Sequence, residues 1–145
     1  MTQPPATPPP QTEPGARPDD VDTAFWLWML ALPLMVVGYV VDLVTVPVEM
    51  PAGYVYAVSA IFLVVLSALV LTFGLLMRQG YRWARTLLTG GAAATLAYVV
   101  TNLFGIDRPT VAALVFAVSA IIGAVAIAGG MYLLHRKDAH AYFTR

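Results

Sequence analysis

Four stretches of this 145-residue chain hold no charged residue: Thr23 to Val41 (19 residues), Met50 to Met77 (28), Thr86 to Ile106 (21) and Pro109 to Leu134 (26). A helix needs around 20 residues to cross a hydrocarbon core about 30 Å thick, so each stretch is long enough, or nearly so, to span a bilayer. None alternates apolar and polar residues as a barrel strand with one face in lipid must. Inside hydrocarbon every backbone polar group has to be satisfied within the structure, which a helix achieves alone. The chain therefore reads as an all-α membrane protein, a four-transmembrane-helix bundle, with helices predicted at about 23–42, 52–77, 84–105 and 109–134 in a domain covering 23–135. Composition agrees, with 11% charged residues and a mean hydropathy of +0.76, where soluble domains carry roughly 25% charge.

The flanks differ in kind. Seven prolines stand among the first twenty residues with almost nothing bulky and apolar, so residues 1–22 are predicted to be a disordered Pro-rich tail, too poor in burial to offset its ordering entropy. The segment lacks the basic region and small-residue cleavage site of a signal peptide. Pro5-Ala-Thr-Pro8 has PxxP spacing, which arises easily in so proline-dense a stretch, and a linker is the simpler reading. Residues 136–145 form a second short tail.

Orientation follows from the basic residues. The N-terminal tail, the loop between the second and third helices and the C-terminal tail together carry seven Lys/Arg, and the other two loops carry one, Arg108. This asymmetry predicts both termini in the cytoplasm. Arg78, Arg82, Arg85, Arg136 and Lys137 then act as topology anchors, each gaining about 1 kcal/mol from anionic lipid. The aromatics fall into two levels: Phe25, Trp26, Trp28, Phe73, Tyr81, Trp83, Tyr132, Tyr142 and Phe143 on the inner side, and Tyr39, Tyr54, Tyr56, Tyr98 and Phe104 on the outer. Interfacial belts have that form.

Tyr39-Val40-Val41 recurs as Tyr98-Val99-Val100, and the AVSAI sequence of Ala57 to Ile61 recurs at Ala117 to Ile121, at offsets of 59 and 60. Either helices one and two are duplicated as helices three and four in a parallel repeat, or the match is chance among Ala/Val-rich helices.

Chemistry inside a membrane usually announces itself as an ionisable residue deep in a span, and the four runs contain none. Asp42, Glu49 and Asp107 lie at outer helix ends, where a shallow Asp42–Glu49 pair binds a cation or is simply solvated. His135 and His140 stand five apart, off a common helical face, with no further ligand near in sequence, and cysteine is absent. No metal site follows from that set. Nucleophile elbows, phosphate loops and dinucleotide fingerprints are also missing, so neither catalytic residues nor a cofactor is expected. Zero net charge offers no field for nucleic acid.

Small residues mark the expected packing faces. Helix four has Ala113, Ala117, Ala120, Ala124 and Ala128 at spacings of three or four with Gly123 beside them, and helix three has Thr86, Gly90 and Ala94. Such faces let backbones approach where lipid gives no hydrophobic drive, and they serve either packing within the bundle or homo-oligomerisation. Pro33 is expected to kink helix one. Leu43 to Pro51, interrupted by two prolines, is expected to lie flat at the outer interface.

The proline-rich N-tail, the aromatic entry Ala24 to Leu30, the loop with Gly80, Trp83, Ala84, Arg85 and Leu87, and the closing Ala141-Tyr-Phe143 resemble the small four-helix integral membrane proteins of actinobacteria. That resemblance implies a plasma-membrane location and carries over no catalytic residues. The small multidrug-resistance transporters share the size and helix count, but their acidic residue in the first helix has no counterpart between Thr23 and Val41. The expectation is a non-enzymatic multi-pass protein, a scaffold, accessory subunit or regulator of an envelope or membrane complex. Its expected partners are membrane lipids, a membrane protein or a second copy. The alternative is a small-molecule or lipid transporter working as an oligomer.

Overall fold

A computed structural model of the chain describes residues 16–143. Residues 1–15 of the expected tail lie outside the described residues, as do the last two. Four long helices follow one another, α1 (Asp19–Thr45), α2 (Ala52–Arg78), α3 (Arg82–Gly105) and α4 (Thr110–Leu134), and a short α5 (Lys137–Tyr142) closes the chain. All four long helices are apolar and long enough to cross a membrane, which makes the fold a four-helix membrane bundle.

The helix boundaries have local causes. Pro18, Pro51 and Pro109 immediately precede α1, α2 and α4. A proline fixes its own backbone and favours the start of a helix, where no amide donor is needed. Their carbonyls accept the first-turn amides of Val21 (3.0 Å), Val55 (3.2 Å) and Ala113 (2.8 Å). Between α2 and α3 the reversal rests on Gly80 at φ +88°, in the left-handed region that costs a residue without Cβ little.

Three boundaries differ from the sequence reading. Asp19 to Asp22 belong to α1, not to the tail: three acidic residues in the first turn favour the positive helix end, and Val21 is fully buried. At its other end α1 continues to Thr45, so the segment between α1 and α2 begins only at Val46. The C-terminal tail contains α5, whose Ala139 is buried with Phe143 just beyond it. Pro33 stands on an exposed side of a continuous α1.

Around the bundle each helix touches its chain neighbours and α4 returns to α1, while the diagonal pairs do not meet. That order is what a parallel repeat requires, and α1–α2 and α3–α4 pack to similar extents. The other two interfaces are unequal: α1 and α4 pack along their lengths, whereas α2 and α3 meet only to the extent that α1–α2 and α3–α4 do. Glycines explain the tight pair. Gly38 faces Phe116 and Ser119, Gly123 faces Met35, and Gly130 faces Trp28 and the Ala24 carbonyl, allowing the backbone approach that drives helix association in lipid.

The buried face of α4 is accordingly Phe116, Ser119, Ala120, Gly123, Ala126, Ile127 and Gly130. Ala120 and Gly123 lie at its centre as predicted, while Ala117, Ala124 and Ala128 sit half-buried at its margin. The face is turned toward Gly130 because the bulky partners on α1, Met35 and Trp28, need glycine opposite them more than alanine. Two apolar clusters result, a large one reaching from Phe25 and Trp28 through Leu134 to Phe143, and a small one of Val99, Phe116 and Ala120. Phe25, Trp28 and Phe143 are thus core residues and not members of an interfacial belt.

Candidate functional site

At the end of the bundle where both termini lie, the expected lipid anchors are largely engaged within the protein. Arg78 donates to Asp22 (Nη2–Oδ1 2.7 Å) and stacks over Phe25 at 4.5 Å. Arg85 lies over Phe143 at 4.8 Å and reaches His140 Nδ1 at 3.2 Å. Arg136 pairs with Asp20 at 3.1 Å. Arg82 and Lys137 are exposed and form no ion pair among the described residues. The α2 carbonyl of Arg78 accepts from Tyr142 Oη (2.7 Å) and Arg17 Nε (3.2 Å), tying α5 and the chain's N-terminal side to one helix end.

At the opposite end the strongest polar contact joins residues 66 positions apart. Arg108, between α3 and α4, donates from Nε and Nη2 to the two Asp42 oxygens at 2.6 and 2.9 Å. Its Nη1 donates to the Asn102 carbonyl at 2.7 Å, and the guanidinium covers the Phe116 ring at 3.8 Å. The two side chains are only 2% and 14% exposed. Hydrogen bonding to Asp42 holds Arg108 above its ordinary pKa in spite of burial, so this cation stays charged. Asp42 is therefore a structural counter-ion that caps the α3 terminus through Arg108. Glu49, its expected partner, is exposed in the loop.

Bordered by α2 and α3, a groove of about 510 Å³ runs through the middle of the bundle, floored by α1 residues such as Trp28, Ala31 and Met35. Its lining contains no charged residue. Leu66 and Leu69 on one rim and Leu87, Gly91 and Ala94 on the other are exposed, so the groove opens sideways between α2 and α3. Trp28 is 6% exposed, and its Nε1 is buried without a hydrogen-bond partner.

The outward face of α3 is the other unusual surface. Thr86, Gly90, Ala93, Ala97 and Thr101 recur at spacings of four, three, four and four, and all are exposed. A Cβ placed on Gly90 would meet nothing within 4 Å. Gly90 and Ala94, expected to pack between helices, do not do so within this chain; α3 uses Ala84, Leu88, Ala92 and Val99 for that. Thr86 and Thr101 return their hydroxyls to the carbonyls of Arg82 and Ala97 at 3.1 and 2.9 Å. By contrast α2 and α4 expose Ile61, Val64, Leu69, Val118, Ile121 and Val125, the broad apolar side chains suited to lipid.

His135 and His140 gain no ligand company from folding: among the described residues no group of three or more His, Cys, Asp or Glu converges. Comparison with protein-family models, curated proteins and solved structures gives no match. The class defined by fold and surfaces is that of a small multi-pass membrane bundle, with one helix pair, α1 and α4, packed along its length.

Proposed function

We propose that the chain is a non-enzymatic plasma-membrane scaffold or accessory subunit that holds a transmembrane helix of a partner protein against α3. The observation that carries this reading is the outward Thr86–Gly90–Ala93–Ala97–Thr101 face. Exposed glycine costs a helix about 1 kcal/mol relative to alanine, and a face of small residues gives lipid little to pack on. The same face suits the close approach of another helix. The excess of Lys/Arg at the end holding both termini supports a cytoplasmic placement for them. A plasma-membrane setting rests on the resemblance to small actinobacterial membrane proteins.

Transport of a polar solute finds less support. The groove is mostly apolar and holds no charged residue, and α1 and α4 are close-packed. Affinity purification from gently solubilised membranes tests the proposal. The intact protein should retain a stoichiometric membrane partner, and Gly90→Leu, whose side chain meets no internal neighbour, should lose it while staying folded. Repeated recovery of the protein alone would defeat the reading. Reporter fusions at Arg145 and within Val44 to Glu49 test the orientation, and an external C-terminus would reverse it.

A further inference from the structure

We propose that the groove between α2 and α3 is a binding site for one acyl chain of a bilayer phospholipid. Its length is the first argument. The lining runs from Trp28 to Tyr39, from Phe62 to Phe73 and from Leu87 to Tyr98. Each is a separation of eleven residues, or roughly 16 Å at the helical rise. Centred on the middle of the helices, a groove of this length receives the distal part of an acyl chain, whereas a spanning helix of a partner would have to extend past both ends.

Aromatic contacts stand at both ends. On the side away from the termini Tyr39 leans on Phe62 with ring centroids 6.0 Å apart and hydrogen-bonds Ser59 at 3.2 Å. Toward the termini Phe73 meets Trp83 edge to face at 5.7 Å. The exposed rim residues Leu66, Leu69, Leu87, Gly91 and Ala94 make the opening lateral. The walls suit the same occupant: aliphatic and aromatic side chains dominate, and the Thr95 hydroxyl is turned back to the Gly91 carbonyl at 2.8 Å.

A volume of about 510 Å³ lies within the range of roughly 300–1,000 Å³ typical of small-molecule sites. Left empty, its walls would forgo dispersion contacts, and hydrocarbon is the fluid next to the opening. Gly91 keeps the entrance wide, since a Cβ there would meet nothing within 4 Å. At the interface between α1 and α4, Gly38, Gly123 and Gly130 let the helices close together, and no glycine does so between α2 and α3 along the groove.

The test uses Trp28 as the reporter. Trp26 and Trp83, 65% and 48% exposed, are replaced in the full chain by Trp26→Phe and Trp83→Phe, and the protein is reconstituted in phosphatidylcholine vesicles with or without brominated acyl chains. Trp28 should lose most of its emission in brominated lipid in spite of its burial. Adding Gly91→Phe, which fills the entrance, should restore most of that emission, while Gly91→Ala should leave the quenching in place. An unquenched Trp28, or equal quenching in Gly91→Phe and Gly91→Ala, would overturn the site. Quenching that appears only after dilution to one copy per nanodisc would also overturn it, because a second copy would then be the occupant. None of these outcomes depends on a docked protein partner, so the groove and the α3 face fail or stand separately.

Discussion

Replacing Asp42 by Leu leaves the Arg108 guanidinium charged, 2% exposed and without its counter-ion, holding the Asn102 and Ile106 carbonyls and the Phe116 ring. Removing one partner of a buried pair costs about 3–5 kcal/mol, a loss of roughly a hundred- to a few-thousand-fold in the folded-to-unfolded ratio. Arg108→Met exposes the opposite defect, an unpaired Asp42, but that carboxylate is 14% exposed and water relieves it, so about 2–3 kcal/mol is expected. The double variant Asp42→Leu/Arg108→Met removes both charges and fills the space with apolar atoms. Such replacements of buried pairs are often neutral, so it should recover most of the loss. Reversible unfolding in mixed micelles, followed by far-UV circular dichroism, measures all three variants. A coupling energy below about 1 kcal/mol, the value of an exposed surface pair, would refute the claim that this contact is a desolvated clamp between α1 and the α3–α4 turn.

The glycines should separate by position. Gly130→Ala places a Cβ 2.9 Å from the Trp28 ring and 3.4 Å from the Ala24 carbonyl, neither of them the flexible end of a side chain, and overpacking of about 1–3 kcal/mol should outweigh any gain in helix propensity; Gly123→Ala should cost less, because the Met35 terminal methyl it meets is free to rotate. Gly90→Ala, facing open space, should be neutral or stabilising in the same unfolding assay, and equal losses at Gly90 and Gly130 would contradict the packing described. Phe143→Ala should release α5 from the bundle, with a cost of up to about 3–5 kcal/mol for a buried phenylalanine, and limited trypsin digestion should then cut at Lys137 before any other site.

The long uncharged runs made the helices legible, because a bilayer dictates their length and leaves them no alternative conformation. Ala120 and Gly123 were legible for the same kind of reason, periodic small residues on one face. What stayed hidden was pairing between distant positions. Asp42 and Arg108 are each unremarkable in a loop or at a helix end, and the available signal was indirect: Arg108 is the one basic residue on its side of the sequence-based topology. Gly90 and Gly130 look alike in sequence, yet one faces outward and the other meets Trp28, a distinction set by which helix lies opposite. The α5 helix was concealed by its brevity, since six residues carry too little periodicity to stand out.

The closest pair in the bundle, α1 with α4, joins the earliest made of these four spans with the latest. Until α4 enters the bilayer, Gly38 and Trp28 have nothing to close against, and α2 and α3 offer only the looser contacts of a half-built ring. Membrane insertion of this chain is therefore a process in which three spans wait for the fourth. A ribosome stalled before Thr110 would hold an assembly intermediate whose α1 face is open to any neighbouring helix.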